Sequence, residues 1–125
     1  MESDNNRRLL DADLTLERLA GDETLLSAVA RTFTHTAPHL VAAISTALAS
    51  NDMIGAFTHA QSLKRAVAAF EAPQVLNSVL NVERYALNED AAAAAGALPV
   101  AQGLVERLVN EVSSLMPKSE LRRQA

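Results

Sequence analysis

Apolar residues recur at intervals of three, four or seven along almost the whole chain, and this spacing constrains the fold more than any other feature of the sequence. Residues at such intervals lie on one face of an α-helix, whereas a half-buried strand alternates strictly. No alternating stretch of useful length is present. The apolar residues are mainly alanine, leucine and valine, with only 3% aromatics, which favours closely packed helices. We therefore expect an all-α domain.

Start and stop signals divide the first half of this pattern. A short helix is predicted over 14–19, closed by Gly21, and Asp22 is a suitable N-cap for a long helix. Pro38 lies inside that second pattern, so we expect either a kinked helix or two nearly collinear helices.

Two further helices follow in the middle of the chain. The first is capped by Asn51 or Asp52, and the second begins at Pro73, whose missing N–H costs nothing at a first helical position. The inward positions of the first of these helices are predicted to be Ala56, Ala60, Leu63, Val67 and Phe70.

The last third of the chain is less regular. The alanine run 91–95 suits a short helix, and we expect Gly96 and Pro99 to break it before a last helix over about 99–115. Four long amphipathic helices joined by short links predict an up-down four-helix bundle.

Length and charge limit the classes of function. The 125 residues fit a single domain, 1–125, with an ordered core over about 10–116 and frayed polar ends. The net charge is −4, and the sequence has neither the basic face nor the interleaved aromatics of a nucleic-acid binder. No apolar run approaches the roughly 18 residues that span a membrane. We expect a cytoplasmic domain that binds neither nucleic acid nor membrane, and no cysteine is available for thiolate chemistry.

Three segments form a pattern by their order and spacing. Residues 14–23 read LTLERLAGDE, residues 32–40 read TFTHTAPHL, and residues 60–66 read AQSLKRA, with FEAP at 70–73. Together they resemble the histidine phosphotransfer (HPt) domain family, in which a short helix and a Gly-Asp-Glu cap precede a Phe-to-Pro-Leu pattern and an Ala-His-x-Leu-Lys-Gly signature. The resemblance covers about 10–116. It implies an HPt-like up-down four-helix bundle with a short extra N-terminal helix.

Two positions depart from the family's signature. Gln61 stands where the resemblance places the phosphoacceptor histidine, and Arg65 stands where the family has glycine. An imidazole nitrogen has a lone pair that attacks an aspartyl phosphate, whereas the glutamine amide nitrogen has its lone pair delocalised into the carbonyl. Arg65, one turn after Gln61, adds bulk and charge where the glycine leaves room for a phosphoryl group, unless it is simply a solvated arginine. The resemblance therefore implies docking without phosphate transfer, and no enzymatic activity.

The resemblance places the partner-binding face on the second of the four long helices, which begins after residue 52. Its residues are Phe57, Gln61, Lys64, Arg65 and Ala68. The implied partner is a response-regulator receiver domain or a histidine kinase. Lys64 matches a lysine that assists the phosphohistidine site in the family, or else it is a solvated or snorkelling lysine. Phe57 either offers an apolar contact to the partner or packs against the edge of the core.

Two other functions stay open. An active phosphocarrier would have to use His59, which lies two residues before Gln61, about 200° around the helix, and is expected at the rim of the core. His35 and His39 are four residues apart, but no carboxylate at a matching spacing completes a metal site, so neither a metal nor a cofactor is expected. The third reading is a structural or dimerising module that uses the segment 91–97. We expect a monomer or a weak homodimer.

Overall fold

The computed structural model describes residues 8–116, which form helices and no strand. The helices are α1 (Ala12–Arg18), α2 (Glu23–Ala49), α3 (Met53–Ala68), α4 (Pro73–Leu87) and α5 (Ala91–Ser113). The all-α prediction is confirmed for this part of the chain. The expected fraying of the polar ends concerns residues 1–7 and 117–125, which lie outside the described residues.

The four long helices form a ring. α2 packs against α3, α3 against α4, α4 against α5, and α5 returns to α2. The links between them, 50–52, 69–72 and 88–90, are short, and short links make successive helices antiparallel neighbours. The ends of α2 and α4 therefore meet the beginnings of α3 and α5 at one end of the bundle, and α1 lies at the other end.

Aspartate side chains fix where most of these helices begin. Asp11, Asp22, Asp52 and Asp90 each accept a hydrogen bond from the backbone amide three residues later, which satisfies one of the free N–H groups of the first turn. α4 has no such cap and instead begins with Pro73, as predicted. The start of each helix therefore depends on residues next to or within its own first turn.

The core runs along the axis of the bundle. The five positions expected to face inward from the third helix are all buried, although Phe70 lies just beyond the end of α3. Phe33 of α2 and Val79 of α4 are buried as well. Phe33 and Phe70 meet edge to face, with ring centroids 5.1 Å apart. The largest fully buried side chains are Ile44, Leu63, Val67, Val75, Val79, Val82, Val105, Leu108 and Val112. Aliphatic packing therefore supplies most of the stability.

Polar contacts attach α1 to the α3–α4 link. The buried hydroxyl of Thr15 donates to the carbonyl of Asp11 and accepts from the backbone N–H of Glu71. The Asp11 N–H donates to the Glu71 carbonyl at 2.8 Å, and Arg18 pairs with the Glu71 carboxylate. These bonds hold the short helix across one end of the bundle.

One expectation about the proline-containing helices was wrong, and one of the two alternatives for Pro38 is excluded. α5 is one continuous helix through Gly96 and Pro99, not a short helix followed by a restart. Pro99 has no N–H to donate to the carbonyl of Ala95, four residues earlier. Because Ala95 and Pro99 are both exposed, water can bond to that carbonyl instead. Pro38 is likewise exposed and lies within the single helix α2, which excludes two separate helices. Among residues 8–116, no helix has the length and hydropathy needed to cross a membrane.

Candidate functional site

The predicted partner-binding residues all lie on α3, on the side opposite or beside its core face. Ala56, Ala60, Leu63 and Val67 are buried and fix the orientation of the helix. Since successive residues are rotated by about 100°, Gln61 then lies near the outer side of α3. Gln61 is half-buried within the bundle surface, in the middle of the helix.

Arg65 and Ala68 continue this outer side toward the C-terminal end of α3. Arg65 is exposed, one turn beyond Gln61, and makes no hydrogen bond or ion pair with any residue of 8–116. Ala68 is half-buried and presents only a methyl group. The guanidinium of Arg65 is therefore available to an anionic group on a partner, as the solvated reading also allows.

Lys64 makes an ion pair between α3 and α4. Its Nζ lies 3.0 Å from Oε2 of Glu83 on α4, and the two side chains are 32% and 12% exposed. The ammonium group is engaged with a largely buried carboxylate, a contact that neither predicted role included. Lys64 therefore joins α3 to α4 in the described structure. Both roles stay predictions.

Phe57 lies one turn before Gln61, on the side of α3 that faces α4. It is half-buried and packs against a small cluster of buried alanines, Ala47, Ala56 and Ala86. Of the two alternatives for this residue, packing against the edge of the core is the observed one. The remaining exposed part of its ring is next to the outer side of α3 and is still accessible to a partner.

The histidines lie apart from this face. His59 is half-buried on the opposite flank of α3 from Lys64, in agreement with the predicted rim position. His35 and His39 are both exposed on α2, with ring centroids 5.5 Å apart. Within 8–116 no three histidine, aspartate or glutamate side chains are grouped so as to hold a metal ion.

Sequence reasoning missed three residues that the structure places beside this face. Glu83 is the partner of Lys64, and Ile54 and Leu87 are large apolar residues with 80% and 61% of their surface exposed. Ile54 carried a usable signal, because Ile54, Phe57, Gln61 and Arg65 recur at intervals of three or four and form a second stripe on α3. Glu83 and Leu87 carried none, since their proximity depends on how α3 and α4 pack.

Comparison of the chain with protein-family models, with curated proteins and with solved structures finds no match.

Proposed function

We propose that this chain is an HPt-like protein without the phosphoacceptor histidine, which docks a receiver domain or a histidine kinase and does not accept phosphate. The single observation that carries the proposal is the register of the AQSLKRA segment on α3. Ala60 and Leu63 are in the core while Gln61 and Arg65 are on the outer side. The residue aligned with the family's histidine therefore lies at mid-helix on the bundle surface, where a receiver domain can reach it.

The chemistry of Gln61 explains why docking and transfer separate. Phosphate transfer to histidine forms a P–N bond, breaks the P–O bond of the aspartyl phosphate and releases the aspartate carboxylate. A glutamine amide has no free lone pair on nitrogen for this attack, while its length and hydrogen-bonding groups resemble those of neutral imidazole. Gln61 thus preserves the shape and polarity of a docking surface.

The proposed biological effect is competition. A receiver domain that is bound to the face around Gln61 cannot at the same time present its aspartate to a competent HPt protein. Alternatively, a kinase that is bound there cannot reach its own receiver. In both cases the chain modulates or blocks phosphotransfer by occupancy.

The test restores the family pattern with the double variant Gln61→His and Arg65→Gly. The variant is incubated with phosphorylated receiver domains, and intact-mass measurement detects addition of one phosphoryl group that is acid-labile and base-stable. We expect the double variant to be phosphorylated and the unmodified protein to be inert. A double variant that stays inert with every receiver domain tried contradicts the proposal.

Two controls separate position from composition. The first control is Thr58→His together with Arg65→Gly. It places a histidine on the exposed surface of α3, three residues before Gln61 and out of register with the signature. This variant should stay unphosphorylated. His59→Gln in the Gln61→His, Arg65→Gly background should leave phosphorylation unchanged. Loss of phosphorylation in that triple variant, or phosphorylation of the unmodified protein, would favour an active carrier that uses His59.

A further inference from the structure

Exposed apolar side chains gather at the end of the bundle where α3 begins and α4 ends. Ile54 is 80% exposed and Leu87 is 61% exposed, and both line one open depression of about 550 Å³ together with Phe57 and Met53. We call Ile54, Phe57 and Leu87 the 54/87 patch. Single exposed leucines are common on protein surfaces, but adjacent ones around a depression are typical of an interaction site.

Carboxylates border this depression. Asp52 and Glu89 line it directly, and Asp90 follows in the chain. Asp52 and Asp90 cap α3 and α5, so the fold itself accounts for their presence. Glu89 has no such role, because its side chain is exposed and makes no hydrogen bond or ion pair within residues 8–116.

The backbone at Glu89 adds a second observation. Its φ is +58°, the left-handed conformation in which glycine or asparagine is favoured after a helix. The corresponding position after α2 has such a residue, Asn51, with φ +58°. A glutamate therefore occupies a position where it costs stability, at the border of an exposed apolar depression, and packing within the chain does not require it.

We propose that the 54/87 patch binds an amphipathic helix of a partner protein, with aliphatic side chains over the patch and a lysine or arginine against Glu89. The patch lies on helices and not at the edge of a sheet, so a partner cannot add a strand and must be recognised through its side chains. The carboxylates of Asp52 and Glu89 in the lining of the depression favour a basic helix over an acidic one.

This surface adjoins the proposed receiver-docking face and shares Phe57 with it, but the proposal does not rest on the HPt-like function. Ile54, Leu87 and Glu89 lie outside the segment aligned with the HPt signature, and their use does not require a receiver domain. A failure of phosphate acceptance in the restored variant therefore leaves the 54/87 patch unaffected, and the reverse also holds.

The test uses a synthetic helical peptide of about 18 residues, or about five turns, with leucines on one face and lysines beside them. A matched peptide carries glutamate in place of every lysine. Each is titrated into ¹⁵N-labelled protein. We expect the Leu/Lys peptide to shift the amides of Ile54, Phe57, Leu87 and Glu89 most strongly, and the Leu/Glu peptide to bind at least about tenfold more weakly.

Variants then assign the contacts. Leu87→Ser should weaken binding of the Leu/Lys peptide about tenfold, since it removes a buried aliphatic contact, and Glu89→Gln about threefold. The matched controls are Val100→Ser on α5, with similar exposure to Leu87, and Glu17→Gln at the opposite end of the bundle. Both controls should leave affinity unchanged.

Three results would overturn the proposal. These are shifts centred away from the 54/87 patch, equal affinity for the two peptides, and equal weakening by the control variants. Sedimentation provides a further check on the occupant. A concentration-dependent dimer that Leu87→Ser abolishes would assign the patch to a second copy of the chain instead of to a basic helix.

Discussion

Replacement of Lys64 by methionine should destabilise the bundle strongly, although lysine is among the residues most often found on protein surfaces. The ammonium lies 3.0 Å from Oε2 of Glu83, and only 12% of the Glu83 side chain is exposed. Methionine keeps the aliphatic stem of the lysine and removes the charge. The Glu83 carboxylate is then left largely buried without its partner.

The magnitude follows from the burial of the two groups. Fully exposed ion pairs contribute about 0–1 kcal/mol, and loss of one partner from a fully buried pair costs about 3–5 kcal/mol. With exposures of 12% and 32% the Lys64–Glu83 pair lies between these limits. We expect Lys64→Met to lower the free energy of unfolding by about 2 kcal/mol.

Urea denaturation measures this directly. With an m-value of about 2 kcal/mol/M, the midpoint should fall by about 1 M. Arg65→Met is the matched control, because it removes the same charge from the next residue of α3, where no described partner exists. That variant should stay within about 0.5 kcal/mol of the unmodified protein.

A double variant provides the refutation. Replacing both Lys64 and Glu83 by methionine removes the uncompensated charge and should recover most of the lost stability. If Lys64→Met and Arg65→Met have the same effect, or if the two losses at 64 and 83 simply add, the pair does not couple α3 to α4. Lys64 would then be free to serve a partner.

Two further predictions concern the glycines and the N-terminal segment. Gly96→Ala should raise the free energy of unfolding by about 0.5–1 kcal/mol in thermal or urea unfolding, because nothing lies within 4 Å of the added methyl group in α5. Gly55→Ala should instead lower it by about 1 kcal/mol, since its Cβ would clash with Oδ2 of the Asp52 carboxylate, whose Oδ1 accepts the capping bond from the Gly55 N–H. Equal effects of the two substitutions would refute the assigned surroundings. Glu111→Ala should lower the free energy of unfolding by about 1–3 kcal/mol, because the Glu111 carboxylate accepts hydrogen bonds from the backbone N–H groups of Leu9 and Leu10 at 2.9–3.0 Å. The substitution should also accelerate hydrogen exchange of these two amides. Unchanged exchange would contradict the attachment of residues 9–10 to Glu111.

The parts of the fold that depend on neighbouring residues were predictable from the sequence. Asp22 and Asp52 were identified as caps, Pro73 as a first helical residue, and the inward face of α3 from its spacing. Each depends on interactions within one or two turns of the same helix. The sequence left Asn51 and Asp52 as alternatives, and the structure assigns the cap to Asp52 and the left-handed turn to Asn51.

The errors arose where the surroundings of a residue decide its effect. Pro99 breaks a helix only if the carbonyl it frees has no substitute partner, and on the exposed side of α5 water is available. The ion pair of Lys64 was missed because its partner, Glu83, is nineteen positions away on the next helix. The periodicity of α3 and of α4 gives the buried face of each helix, but not the register in which the two helices pack against each other.

Titration of the ¹⁵N-labelled protein with a panel of receiver domains, followed by amide shift mapping, tests the central claim most directly. A docking module without phosphate chemistry predicts saturable shifts centred on Gln61 and Arg65, extending to Phe57, with no phosphorylation of the protein. No shifts with any receiver domain, or shifts confined to α2 and α5, would contradict the proposed docking face.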